Sequence, residues 1–349
     1  MRWAWAFSIV AGLSFSASAQ LRIVHARGAG PVQARLGESV ELQLRIGRRP
    51  LGEVEEIQWF RVVPRLEHQA TPPPNPGDPT FSNAVLSGPN HGRWIGLDEL
   101  EYDTVPLEGS YAEVRGDRLI LRGAPAPIRE GRVPRRSEPQ VGTLWVAAEV
   151  RLRDGRVLRS ANAESRDRLG LRRDVMRVSF RASDDFLGWL GSYFDVPYVF
   201  GSTPRQSERY VGIDCADVLV GARRRQSGRR LAYTSVAGID RLARDVSPVL
   251  VLGRARVVRN EEGEPVELRW GHEVQPGDLM AIDYSGADEQ LPRPWDHIGA
   301  LLADSGPNGR ADGILGGDDL LRHMGRRGLT DEAIWRHGPI RIRIWRWSR

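Results

Sequence analysis

The sequence predicts an α+β protein in two parts: an all-β sandwich over residues 20–180, then an α+β domain over 181–349. Three observations carry this. Between Leu21 and about Ala182, short alternating runs and turn signals recur with little helical periodicity. At Ser183 the pattern turns to an apolar helical face. The single cysteine, Cys215, then follows a Gly/Pro/Ser-rich loop and opens the apolar run Val218-Leu219-Val220, which reads as a helix start.

Before the first strand, Met1 to Ala19 reads as a secretory leader, with Arg2, an apolar Trp3–Phe15 segment and Ala17-Ser18-Ala19 before Gln20. The chain is therefore expected to be exported, to a periplasm or the extracellular space, and no later stretch is apolar enough to span a membrane. All 50 basic residues are Arg, and 45 acids are interspersed among them. Nucleic acid is excluded as a partner, because its footprint needs clustered charge on one face.

In the first part, Val40 to Ile46 alternates as a half-buried strand, Ile57 to Val63 follows a turn, and Arg118 to Leu121 is another short strand. Thr143–Leu152 and Arg156–Ser160 flank Asp154-Gly155, a strong hairpin signal. Gly37-Glu38-Ser39-Val40-Glu41-Leu42 and Trp59 resemble the second strand and the buried tryptophan of an immunoglobulin-like domain, although its disulfide cysteines are absent. The proline-rich stretch Thr71–Pro79 is a surface loop, and His25, His68 and His91 have no metal-ligand spacing.

In the second part, Ser183 is an expected N-cap for a helix over Phe186–Phe194. Arg223-Arg224-Arg225 followed by Gly228 reads as a solvated helix end. Ser235–Ser247 is expected to be helical, and Val249–Val258 with Pro265–Trp270 to form a hairpin. Val274–Tyr284 is a turn leading into a strand. Trp295–Leu302 is a strand with His297 at its start, and Pro339–Trp345 alternates as a final strand. His272 and His337 read as structural.

A thiol at a helix N-terminus sits where the macrodipole favours its anion, so Cys215 is a candidate nucleophile. It needs a base, and the base needs a third polar group to orient it. His297 and a polar residue on the next strand supply that order. Residues 183–325 resemble the NlpC family of papain-like cell-wall cysteine peptidases. The likeness rests on Pro197-Tyr198-Val199-Phe200-Gly201-Ser202, Asp214-Cys215-Ala216-Asp217, Pro276-Gly277-Asp278-Leu279 and His297-Ile298-Gly299-Ala300-Leu301, in that order.

The resemblance implies a papain-like domain, with the nucleophile helix packed on an antiparallel sheet, that hydrolyses an amide bond in peptidoglycan stem peptides. It implies Cys215 as nucleophile, His297 as base and His323 as third residue, with Asp318 or Asp319 as alternatives. Tyr198, Asp214 and Asp217 are candidate substrate contacts. The Ser-Gly that follows the family's cysteine is Ala216-Asp217 here. No cofactor and no metal site is expected. The partner is a cell-wall peptide or, if the domain is inactive, an envelope protein that it binds as a scaffold.

Overall fold

A computed structural model describes residues 20–26, 31–47, 49–51, 53–65, 83, 100–125, 136–284 and 295–348. The leader, the proline-rich loop, His68 and His91 lie outside these residues. The described chain is α+β and strand-rich, with few helices.

Among the described residues, two main sheets and a two-stranded ribbon, Arg166–Asp167 with Gly170–Leu171, make the first half. One runs in the order Leu21–His25, Val40–Ile46, Arg118–Leu121, Ala112–Arg115, with Arg49–Pro50 paired to Val40–Ile46. The other runs Val32–Arg35, Met176–Arg181, Gly142–Leu152, Val54–Pro64, Tyr102–Pro106, with Val157–Arg159 hairpinned back onto Gly142–Leu152. The alternation of Val40, Leu42 and Leu44 places all three in the layer between the sheets, with Trp59, Leu119, Leu121, Leu144, Val146 and Phe180.

Strand Gly142–Leu152 is buried on both faces. Leu144, Val146, Ala148 and Val150 enter the inter-sheet layer, whereas Trp145 and Ala147 enter a second apolar layer with residues of the later helices. That second layer crosses position 180. It joins Val62, Tyr102 and Trp145 to Leu190, Tyr193, Ile213, Val218 and Leu219. The two halves therefore share a core.

Among the described residues the second half has four α-helices and an eight-stranded sheet. The helices are α1 (Phe186–Gly191), α2 (Pro204–Arg209), α3 (Cys215–Ser227) and α4 (Val236–Ile239). The sheet order is Val258–Arg259, Leu250–Leu252, Ile340–Trp347, Leu279–Asp283, His297–Ala303, Leu320–Gly325, Gly328–Ala333, and Ala243–Asp245 also pairs with Ile340–Trp347. The last strand of the chain is thus central. Its Ile340, Ile342 and Ile344 fill a third apolar layer with Leu250, Met280 and Leu321.

Three expectations need correction. The cap of α1 is Asp185, whose Oδ1 accepts from Gly188 N at 2.8 Å, not Ser183. The helix stops at Gly191, because Gly188 and Gly191 each weaken it by about 1 kcal/mol relative to Ala. Residues 235–247 hold only α4, since Ala243–Asp245 joins the sheet edge through Ala243 opposite Trp347. The arginine run is not simply solvated: Arg225 lies 4.5 Å from the Tyr210 ring centroid and donates to Tyr193 Oη at 3.3 Å. Tyr210 itself stacks on Tyr193 at 4.2 Å. Arg177 of the first half lies over the same Tyr210 ring, at 4.3 Å, so this stack ties the halves together.

Arg322 makes a second tie. Its side chain is fully buried. It donates to Asp331 at 2.7 and 2.9 Å, to Leu187 O at 3.0 Å, and to Glu138 of the first half at 3.1 Å. Asp331 Oδ2 also accepts from Ser137 N at 2.8 Å.

Candidate active site

Cys215 is the first residue of α3, capped by Asp214, whose Oδ1 accepts from Ala216 N at 3.1 Å and Asp217 N at 2.8 Å. The approach loop is pinned from both directions. Tyr198 bridges Ile213, and Gly212 gives the room this requires, because a Cβ there would lie 2.6 Å from Val199 Cγ2. Asn83, from the first half, donates to Gln206 Oε1 at 2.6 Å and to Gly201 O at 3.1 Å.

Helix α3 packs on the strands His297–Ala303 and Leu320–Gly325. Across these two strands Gly299 faces His323. A Cβ at Gly299 would sit 2.9 Å from His323 Cβ, so only glycine there lets the two histidine rings meet. His297 Nε2 and His323 Nδ1 are 2.8 Å apart. His323 Nε2 continues to Glu332 Oε1 at 2.9 Å. His337 completes the group: its ring centroid lies 4.7 Å from that of His323, and its Nδ1 lies 2.9 Å from Tyr284 Oη. Tyr284 stacks on His297 at 6.3 Å.

The hydrogen bonds set the proton positions. The bond from His323 holds Glu332 below the usual carboxylate range, so the carboxylate is an acceptor only. His323 must then donate from Nε2. When that ring carries a single proton, its Nδ1 accepts from His297 Nε2–H. Burial, with His323 and His337 adding to it, pushes His297 well below the usual histidine value, so the His297 ring is neutral at neutral pH. Its Nδ1 is therefore left with a lone pair, and among the described residues it makes no hydrogen bond. That nitrogen is a base.

Cys215 shares an apolar layer with Ile298 and Ala300 of the strand that His297 begins, and the helix it opens packs on that strand. However, burial, with Asp214 and Asp217 adding to it, pushes the Cys215 thiol up. The macrodipole is thus outweighed, and the expected thiolate at the helix start is not the resting form. Among the described residues no hydrogen bond joins Cys215 to His297.

The remaining candidates separate clearly. Asp318 is committed to Arg256 at 2.6 Å. Asp319 accepts from Trp270 Nε1, Ser305 N and Gly316 N. Neither is bonded to His297, and His323 is. Asp214 serves as the helix cap. Asp217 is 4% exposed and accepts from Ser202 Oγ at 2.6 Å, so it is withdrawn from any substrate. His272 is exposed, whereas His337, read from sequence as structural, belongs to the histidine group. Glu332 and Tyr284 were not expected either. One signal pointed to Glu332: Gly325-Arg326-Arg327-Gly328 is a two-residue hairpin loop, which returns the chain beside His323.

Burial, together with the Asp214 charge, pushes the Asp217 carboxyl upward. A carboxyl held above its unfolded value of about 3.9 binds its proton more tightly in the folded chain. Its contribution is full below about pH 4 and is lost as pH rises. Asp217→Asn keeps an acceptor for Ser202 without the charge. It is expected to raise Tm by roughly 2 °C or more at pH 8 and to leave it nearly unchanged at pH 4. Thermal melts at the two pH values check this, and an equal shift at both would contradict it.

No protein-family profile, curated protein or solved structure matches the chain.

Proposed function

We propose that the chain is an exported cysteine hydrolase that cleaves an amide bond of a peptidoglycan stem peptide, in a papain-like domain of the NlpC kind. The first half, in this reading an immunoglobulin-like sandwich, holds the approach loop through Asn83. The observation that carries the proposal is the hydrogen-bonded chain Glu332–His323–His297, built on two strands against which the helix opened by Cys215 packs.

Because the thiol is neutral at rest, His297 Nδ1 takes its proton as Sγ attacks the carbonyl carbon. The C=O π electrons move to oxygen, which the backbone N–H of Cys215 can meet. On collapse the C–N bond breaks, and the amine leaves with the proton from Nδ1. Water then gives a proton to Nδ1 and its hydroxyl to the acyl carbon; on the second collapse the C–S bond breaks, the carboxylic acid leaves, and Sγ takes the proton back from Nδ1. Glu332 and His323 act as positioning residues that keep the His297 proton on Nε2.

A second reading has its own support. The raised thiol and the missing Cys215–His297 hydrogen bond also suit an inactive papain-like domain that binds an envelope protein. One experiment separates the two: labelling with a stem-peptide vinyl sulfone, located by mass spectrometry. The hydrolase should be labelled at Cys215 alone, and His297→Ala should slow labelling by about 10²-fold or more. A well-folded His297→Ala labelled at the wild-type rate leaves only the binding reading.

A further inference from the structure

The side of His323 that faces away from His297 converges with two more donors. His323 Nε2 and Glu332 Oε1 are 2.9 Å apart, and His337 Nε2 is 3.9 Å from the same Oε1. All three ligand atoms lie within 4.8 Å of one another. Neighbouring ligands around a tetrahedral zinc ion, with bonds of about 2.0–2.2 Å, are separated by about 3.3–3.6 Å. Small rotations of the three side chains would therefore close the set.

An independent observation points to a ligand. His337 is 5% exposed at its side chain, and its Nε2 is buried with no hydrogen-bond partner among the described residues. An orphaned imidazole nitrogen aimed at a carboxylate costs free energy unless something fills the gap. The outer nitrogens of both rings are already engaged: His337 Nδ1 with Tyr284 Oη, and His323 Nδ1 with His297 Nε2. Metal-binding histidines are held by such bonds at the ring nitrogen that faces away from the ion.

We propose that His323, Glu332 and His337 bind a divalent first-row transition ion through two imidazole nitrogens and one carboxylate oxygen, and that the ion switches off His297 as a base. The switching follows from proton positions. An ion on His323 Nε2 needs that lone pair, so the ring's proton moves to Nδ1. Nδ1 then donates to His297 Nε2, and the His297 proton moves to its own Nδ1. Each ring keeps one proton, but the lone pair that would take the thiol proton is gone. The ion-binding half stands on geometry alone, whereas the switching half rests on the hydrolase reading.

The test uses the full chain, freed of metal with a chelator and titrated with zinc sulfate by calorimetry. X-ray absorption at the zinc edge and iodoacetamide alkylation of Cys215 are measured alongside. Expected are one saturable equivalent, a nitrogen/oxygen shell without sulfur, and at least tenfold slower alkylation with zinc bound. His337→Phe and Glu332→Gln should each abolish the saturable binding. Tyr284→Phe, which keeps all three ligands, should weaken it about 10–100-fold.

Absence of saturable binding overturns the site, as does binding unchanged in His337→Phe and Glu332→Gln, or sulfur in the shell. Saturable binding with unchanged alkylation overturns the switch. If alkylation without zinc is indifferent to His297→Ala, the hydrolase reading fails, and the titration still decides the metal site.

Discussion

Glu332→Gln is expected to slow alkylation of Cys215, and turnover of any stem-peptide substrate, by roughly 10²–10⁴-fold while leaving the fold intact. The substitution barely changes shape. It does change what the side chain requires of His323. A carboxylate can only accept, and so it fixes the His323 proton on Nε2 and, through the 2.8 Å bond to His297, leaves His297 Nδ1 bare. A glutamine can turn its NH₂ toward His323 and accept the opposite tautomer. His297 then presents a proton to the thiol instead of a lone pair. The mutant should keep its circular dichroism and lose no more than a few degrees in Tm, which separates a proton effect from unfolding. A folded Glu332→Gln with wild-type alkylation kinetics would show that the histidine relay does not govern the thiol.

Arg322→Leu is expected to cost about 3–5 kcal/mol of stability. The guanidinium is fully buried, and its removal leaves Asp331 in the core without its bidentate partner and Leu187 O without a donor. Burying the isolated ion pair contributes little net stability, but breaking it strands a charge. The double variant Arg322→Leu/Asp331→Leu should therefore be more stable than Arg322→Leu alone. Urea unfolding of the three proteins measures this, and a single-variant loss below about 1 kcal/mol would show that water reaches Asp331.

Much of this was legible in the sequence, wherever one face of a strand meets water. Val40–Ile46 and the final strand alternate in sequence because they alternate in the fold, and the hairpin joining Gly142–Leu152 to Val157–Arg159 was legible from its Asp154-Gly155 turn. His297 was picked out by its neighbours and His323 only through the family resemblance, and the fold brings their facing ring nitrogens to 2.8 Å. The misses have physical causes. Glu332 sits on Gly328–Ala333, whose Gly-Leu-Thr-Asp-Glu-Ala sequence carries no apolar period. There the edge position and the Arg322–Asp331 pair fix the strand. His337 is brought in by a single 3₁₀ turn after that strand, a placement only the tertiary fold specifies. Arg225 reads as a helix-end charge, yet Tyr210 and Tyr193, 15 and 32 residues earlier, bury it by stacking and a hydrogen bond. At Cys215 the macrodipole is opposed by burial and by the neighbouring Asp214 and Asp217, which only the folded surroundings of α3 reveal.

Strand Gly142–Leu152, buried on both faces, also bears on how the chain is made. Synthesis delivers residues 20–180 before α1 and α3 exist, and by then the inter-sheet layer can already close. The opposite face, with Trp145 and Ala147, must wait in water until Leu190, Tyr193 and Leu219 emerge to cover it. The first half is thus a template left uncovered on one side, onto which the segment carrying Cys215 is laid last.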